Sequence, residues 1–261
     1  MNVVVCLKQV PGTTQVKIEP ATNTLVRQGI KNIINPFDTY ALEEGVRLKE
    51  RYGGRVTVLT MGPPQAEEAL KEAISLGADD AVLLSDRDFA GADTLATSYT
   101  LSRAILKIGG YDLIICGRQT LDGDTGQVGP GLAEALGLPL VSYVSRIEEA
   151  NAGMIRARRM VEDGHEVVES PLPAVITVVK EINTPRLPSL RGIARARGYK
   201  PAVWSGNELD VDRSLVGLAG SVTRVIKVFV PQRTSRAEVL QGEPDKQVDG
   251  LLARLKQAGV I

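Results

Sequence analysis

Histidine is nearly absent from this sequence: His165 is the single copy in 261 residues. A multi-histidine metal site and a Ser-His-Asp hydrolytic triad therefore have almost no material. His165 itself falls in a polar turn, Glu162-Asp163-Gly164-His165. Cysteine is almost as scarce. Cys6 and Cys116 are the two copies, both lie in apolar runs, and no CxxC pair exists. Zinc and a cysteine-held iron–sulfur cluster are thereby disfavoured, and two buried, reduced thiols are expected. Aromatic residues make up 4%, too few for a platform that stacks single-stranded nucleic acid. An excess of one charge is missing too, since Lys+Arg and Asp+Glu both number 31. Bulk charge then draws the chain neither to nucleic acid nor to an anionic membrane. No apolar run approaches the ~18 residues of a membrane span, and no charged-then-apolar leader is evident. The expectation is a soluble, cytoplasmic protein with no direct membrane insertion.

What is present is an alternation of strand-like and helix-like segments. Residues 3–7 are an apolar run of the kind that buried parallel strands show. Asp38 caps a helix reaching about residue 51, and residues 55–60 read as a second strand. Ala66, Ala69, Leu70, Ala73 and Ile74 follow helical spacing, closed by Gly77. Strands are expected at 81–85, 112–116 and 140–144, with helices from Asp93 and over 127–136 between them. This is an α/β pattern: a Rossmann-like, mostly parallel sheet with helices on both faces, whose ligands bind beyond the carboxyl ends of the strands. After about residue 145 the pattern changes to a β-hairpin region, 154–180. From 183 to about 230 little periodicity remains. A last helix over 245–257 carries Val248, Leu251, Leu252 and Leu255 on one face, and an extended C-terminal arm that packs on something else is expected.

Three strand ends carry candidate chemistry. The glycine-rich loop after the fourth strand, 117–131, leads into a helix start, where free N–H groups favour phosphate; its plainer reading is a capped loop. It matches neither GxxxxGK[ST] nor GxGxxG. Thr94, Thr97 and Ser98 share one face of a first helical turn, as pyrophosphate donors or as solvated hydroxyls behind an Asp93 cap. Pro36 pushes Asn35 to an extended conformation. Its amide is then either free for an edge such as adenine or part of a structural Asx-Pro turn.

These residues also carry a family resemblance. Val5-Cys6-Leu7-Lys8-Gln9-Val10-Pro11, Asn35-Pro36-Phe37-Asp38 with Glu43-Glu44 and Arg47-Leu48-Lys49-Glu50, Met61-Gly62-Pro63, Leu76-Gly77-Ala78-Asp79 and Gly117-Arg118-Gln119 through Asp122-Gly123-Asp124 resemble the β subunit of electron-transfer flavoproteins. The likeness runs nearly end to end. It implies a heterodimer with a larger α subunit that carries its own FAD. In housekeeping members the β subunit holds AMP in a structural role. In the bifurcating and nitrogen-fixation-associated members it holds a second FAD, which takes a hydride from NADH and splits the electron pair. Residues 91–101 and 122–130 are similar to the bifurcating type, so FAD is expected, with AMP as the alternative.

Carried over by position, the nucleotide contacts are Cys6 (main chain), Lys8, Asn35, Asp38, Met61, Thr94, Thr97, Gly117, Gln119, Asp122, Gly123, Asp124, Thr125, Gln127 and Val128. Residues 183–193 are similar to the family's recognition loop, with Leu190, Arg191 and Ile193 as the docking residues. Residues 1–182 are then the nucleotide-binding domain. Residues 183–261 are the recognition loop and an arm packed on the partner subunit. The implied partners are the α subunit, an acyl-CoA dehydrogenase-like or quinone oxidoreductase protein, and ferredoxin or flavodoxin. The resemblance implies an electron carrier whose NADH-oxidising activity belongs to the complex.

Overall fold

β1 (Val3–Cys6) is fully buried and forms the axis of the sheet. The computed structural model describes residues 1–12, 17–19, 24–26, 32–151, 153–226 and 239–261. Next come β2 (Gln9–Pro11), β3 (Lys17–Glu19), β4 (Thr24–Val26), β5 (Asn32–Ile34) and α1 (Pro36–Tyr52). Then follow β6 (Val56–Met61), α2 (Glu67–Leu76), β7 (Asp80–Leu84), α3 (Thr94–Ile108), β8 (Leu113–Gly117) and α4 (Val128–Leu136). The chain continues through β9 (Leu140–Ala150), β10 (Met154–Val161), β11 (Gly164–Pro171), β12 (Ala174–Val178), α5 (Leu190–Gly198), β13 (Ala202–Trp204), α6 (Gly206–Leu209) and α7 (Pro244–Gln257).

The main sheet has nine strands in the order β11-β10-β9-β12-β8-β1-β6-β7-β13. Every neighbouring pair from β9 to β13 is parallel, whereas β9, β10 and β11 are antiparallel. Two small pairs, β2-β5 and β3-β4, stand outside it. Alternation along the buried strands assigns the two faces. Val3, Val5, Leu113 and Ile115 pack with Ala41, Leu42 and Val46 of α1 and Leu70 of α2. Val4, Cys6, Ile114 and Cys116 pack with Leu101 and Ile105 of α3 and Leu132 of α4. Successive crossovers go one way from β1 to β6 and the other way to β8, so a crevice opens between β1 and β8 at their carboxyl ends.

The expected fifth strand, 140–144, continues to Ala150 because its second half pairs with β10 while its first half pairs with β12. The changeover is a bulge: Tyr143 has φ 58°, and its N–H donates to Thr177 Oγ1 at 3.0 Å. The hairpin turn at Glu162 and Asp163 is borne out by the Val161↔Gly164 register.

The expectation of little regular structure after residue 183 is corrected for the described part of that stretch; residues 227–230 lie outside the described residues. Asn183 and Arg186 first tie the chain to α1. Asn183 Nδ2 donates to Glu44 Oε2 at 2.9 Å, and Arg186 spans Glu43 at 2.8 Å and Glu50 at 2.6 Å. α5 then packs on α2, and β13 adds to the sheet beside β7. Periodicity missed both for a physical reason. In Leu190–Gly198 only Ala196 is buried, and β13 is three residues of mostly exposed edge.

Two units are distinguished: residues 1–17 with 25–226, and residues 18–24 with 227–261. In the second, α7 leaves Val248, Leu251 and Leu252 half-exposed on its apolar face.

Glycine sets how closely α4 lies on the sheet. A Cβ on Gly129 would stand 2.4 Å from Thr177 Cγ2 of β12. Gly129→Ala is therefore expected to overpack this contact and destabilise the fold by about 1–3 kcal/mol, read as a lower urea midpoint with an unchanged denaturant slope.

Candidate nucleotide site

The crevice is shaped by side chains that lie beneath it. Pro36 at the first position of α1 leaves Asn35 extended, with φ −52° and ψ 126°, as expected for a residue before proline. The Asn35 side chain is fully buried. Its Nδ2 donates to Gln119 O at 2.9 Å, and its Oδ1 accepts the Leu121 N–H at 3.2 Å. The Asn35 amide is thus engaged by the glycine-rich loop, which fits the structural one of its two expected readings.

Asp38, one turn on, is 5% exposed. It accepts the Lys8 N–H at 2.7 Å, the Gly117 N–H, and a hydrogen bond from Asn35. These groups come from the residue two past the end of β1 and from the end of β8. A Cβ on Gly117 would lie 2.3 Å from Asp38 Oδ1, so the carboxylate occupies the space that a side chain there would need. Burial pushes the Asp38 pKa up to about 7, against the lowering effect of its hydrogen bonds. Cys6 and Cys116 are paired in register just below, both buried and reduced. Their mutual hydrogen bond, burial and the nearby carboxylate push the Cys116 thiol well above its ordinary range. Such thiols are inert.

Above this base lies the loop, residues 118–127. Lys8 Nζ bridges to Asp122 at 2.7 Å. Burial would raise the Asp122 carboxyl, but the Lys8 ammonium and further hydrogen bonds outweigh it and hold the group below its usual range. Gln119 Nε2 donates to Asp124, which itself sits at φ 52°. Gly123 N–H reaches Thr120 Oγ1 at 3.3 Å. Asp122, Gly123, Asp124, Thr125 and Gln127 are exposed, and Val128 is half-buried. No side chain caps α4 among the described residues, so the N–H groups of its first turn point outward without an intrahelical partner.

Thr94, Thr97 and Ser98 divide. Thr94 Oγ1 donates to Gln127 Oε1 at 2.9 Å and joins the starts of α3 and α4. Thr97 is half-buried, and no described residue takes its hydroxyl. Ser98, which shares their helical face in the sequence, is 2% exposed and spends its hydroxyl on Thr94 O at 2.7 Å. Its expected role as a donor is corrected. The sequence at i and i+4 fits both outcomes, because a serine hydroxyl in a helix can bond back to the carbonyl four residues earlier. Met61 ends β6 half-buried, and one residue before it Thr60 Oγ1 is buried without a partner among the described residues.

The remaining site residues lie apart from this crevice. Leu190 is 88% exposed and Arg191 is exposed, while Ile193 is half-buried in α5. Ser189 caps this helix by accepting the Gly192 N–H at 3.0 Å. Among the described residues no group of three or more His, Cys, Asp or Glu is placed to hold a metal, and no helix is long and apolar enough to cross a membrane.

The donor set has a consistent character. Hydroxyls and the uncapped N–H groups of α4 stand at these strand ends, Lys8 is paired with Asp122, and the Arg118 guanidinium lies over Phe37 and Tyr143 with its Nε on Gln119 Oε1. That chemistry fits the phosphates and polar edges of a nucleotide, to which the helix ends add partial positive charge.

Known proteins resemble this chain over most of its length. Residues 22–205 match the family model described as the electron transfer flavoprotein domain. The chain is 47% identical, over the full length of both, to an electron transfer flavoprotein subunit beta of Thermoanaerobacterium thermosaccharolyticum. It is also 47% identical to Protein FixA of Azotobacter vinelandii, covering 98% of this chain and 94% of that one. With the caffeyl-CoA reductase-Etf complex subunit CarD of Acetobacterium woodii it shares 44% identity over the full length of both.

The buried carboxyl has a linkage consequence. Its folded pKa of about 7 lies above the ordinary value of 3.8. The native state therefore binds the proton more tightly, and Asp38 makes stability fall as pH rises between those two values. Asp38→Asn is expected to flatten this part of the profile, read by urea unfolding at about pH 5 and about pH 8.

Proposed function

The chain belongs to the electron transfer flavoprotein family, and on that premise we propose that it is the β subunit of a cytoplasmic heterodimer and holds a second FAD beside the one on its larger α subunit. The observation that carries this reading is the junction of two helix starts. Thr94 of α3 meets Gln127 before α4 at 2.9 Å, and α4 is left without a side-chain cap. A pyrophosphate has two charged groups to satisfy, and the uncapped start of α4 beside the Thr97 hydroxyl, with the Thr94 hydroxyl once it exchanges Gln127 for the ligand, offers matching donors.

Under this reading Thr94, Thr97, Thr125 and the N–H groups near Gln127 and Val128 hold the pyrophosphate. The ends of β1 and β6, at Cys6 and Met61, border the adenosine. Asn35 and Asp38 act one layer back: they fix the start of the loop from which Gly117, Gln119 and Gly123 approach the ligand. Lys8 holds Asp122, and Gln119 holds Asp124, so neither carboxylate is loose beside the phosphates. When bound, the flavin supplies the redox chemistry, hydride uptake from NADH and division of the pair between acceptors of high and low potential. The protein contributes binding, orientation and the dipoles around the ring.

The arm supports the partner assignment. Arg186 is bound to Glu43 and Glu50, which gives Leu187 and Leu190 a rigid base while both stay nearly fully exposed. An apolar anchor on a preorganised base suits docking to a dehydrogenase or quinone oxidoreductase, with Arg191 and Ile193 beside it. The half-exposed apolar face of α7 suits the α subunit. Ferredoxin or flavodoxin is the acceptor of low potential.

Release and quantification of nucleotide from the purified heterodimer tests the cofactor directly. Two FAD per heterodimer are expected; one FAD with one AMP would replace this reading by a non-bifurcating scaffold subunit. Thr94→Ala with Thr97→Ala is expected to empty the β site and spare the α-site flavin. Unchanged occupancy would remove the phosphate assignment.

A further inference from the structure

The start of α3 is held from outside by a segment that no strand end supplies, residues 217–223. Ser221 Oγ accepts the Asp93 N–H at 2.8 Å and donates to Gly217 O at 2.7 Å. Thr223 donates twice to Asp93 Oδ2, from its N–H and from its hydroxyl, both at 3.0 Å. Asp93 Oδ1 meanwhile accepts the Leu95 and Ala96 N–H groups at 3.0 and 3.1 Å. Each carboxylate oxygen thus has two donors. Burial works to raise the Asp93 carboxyl, but these hydrogen bonds outweigh it and hold the group below its usual range.

The segment is seated closely. Leu218 N–H donates to Ala90 O at 3.0 Å. A Cβ on Gly217 would lie 1.9 Å from Asp88 O, and one on Gly220 2.1 Å from the Leu215 carbonyl carbon. Gly217 also has φ 54°, so glycine is needed there for conformation as well as for space.

We infer that Ser221 and Thr223 are positioning residues for phosphate recognition: by engaging Asp93 they keep its charge turned toward α3 and away from a phosphate held by Thr94 and Thr97. This rests on the nucleotide reading above. The physical argument is one of sign. Asp93 is adjacent in sequence to Thr94, so an anionic ligand at Thr94 has a carboxylate as its neighbour. Like charges at such separations repel by an amount that depends on how well each is solvated or hydrogen-bonded. Four donors absorb the lone pairs of Asp93. Without the Thr223 hydroxyl one lone pair is released, and the cost falls on a phosphate rather than on an uncharged nucleoside.

The test is calorimetric titration of the nucleotide-stripped heterodimer with AMP and, separately, with adenosine. Thr223→Val, alone and with Ser221→Ala, is expected to weaken AMP by about tenfold, the loss of a hydrogen bond to a charged group, and to change adenosine by less than about twofold. Thr223→Ser, which keeps the hydroxyl, is expected to restore AMP binding. Adenosine affinity doubles as the control for a folded site. Equal weakening of AMP and adenosine, no weakening of AMP, or no rescue by serine would each overturn the inference. Thr94→Val with Thr97→Val separates the two levels. If that pair weakens AMP while Thr223→Val does not, the positioning role alone fails. If neither affects AMP, the phosphate assignment beneath it fails as well.

Discussion

The hydrogen bonds that the Asp38 carboxylate accepts from Lys8 and Gly117 hold the rest of the site in place. Parallel strands end with N–H groups that the ladder no longer satisfies, and a buried unsatisfied donor costs about 1–3 kcal/mol. Here one carboxylate takes two such donors, from either side of the crevice. Gly117 has no side chain because the carboxylate fills that space. The loop after β8 therefore starts from a fixed point, and Asn35 fixes it again at Gln119 and Leu121. This arrangement works against the charge it uses. Desolvation raises the Asp38 pKa, and the hydrogen bonds recover only part of that cost.

The deployment of cations follows a related logic. Lys8 is spent on Asp122, Lys49 on Asp79, and Arg186 on Glu43 and Glu50. Burial pushes the Glu43 carboxyl up, but the hydrogen bonds from Arg186 and Arg47 outweigh it and hold the group below its usual range. These pairs shape the surroundings of the crevice and the root of the arm. Under the proposed nucleotide reading, phosphate is met chiefly through dipoles and hydroxyls, which are directional and short-ranged. Such recognition tolerates little displacement, which explains why so many buried contacts are devoted to holding the loop and the helix starts.

The sheet and its two helical faces were legible in the sequence because the strands are continuous apolar runs and the helices carry strong spacing and glycine stops. Val3 and Ile114 fall on opposite faces as a buried parallel sheet requires. Asp93 as a cap, Asp122 and Asp124 in an exposed loop, and the buried thiols were legible for similar local reasons. What was not legible depends on partners far along the chain. Asn35 fits a free amide and a structural turn equally well until residue 119 is seen to take its donor, 84 residues away. Ser98 reads like Thr94 and Thr97 because spacing reports the face, not the rotamer. α5 and β13 stayed hidden because their burial is slight, and a period needs buried positions to reveal it.

These differences matter for how the site is controlled. Residues 35–38 and the start of the loop, 117–121, are tied to strand ends and to α1, where Asn35 and Asp38 are buried. Opening them means opening the core. Residues 217–223 are held by hydrogen bonds to Asp93, Ala90 and one another, with Val222 80% exposed between Ser221 and Thr223. A segment with exposed side chains and few ladder contacts opens at lower free energy than the sheet it touches. Its contact with Asp93 sits one residue before Thr94. Under the proposed nucleotide reading, phosphate affinity changes through that contact while the fold and the adenosine side stay fixed, which separates the strength of nucleotide binding from the stability of the sheet that supports it.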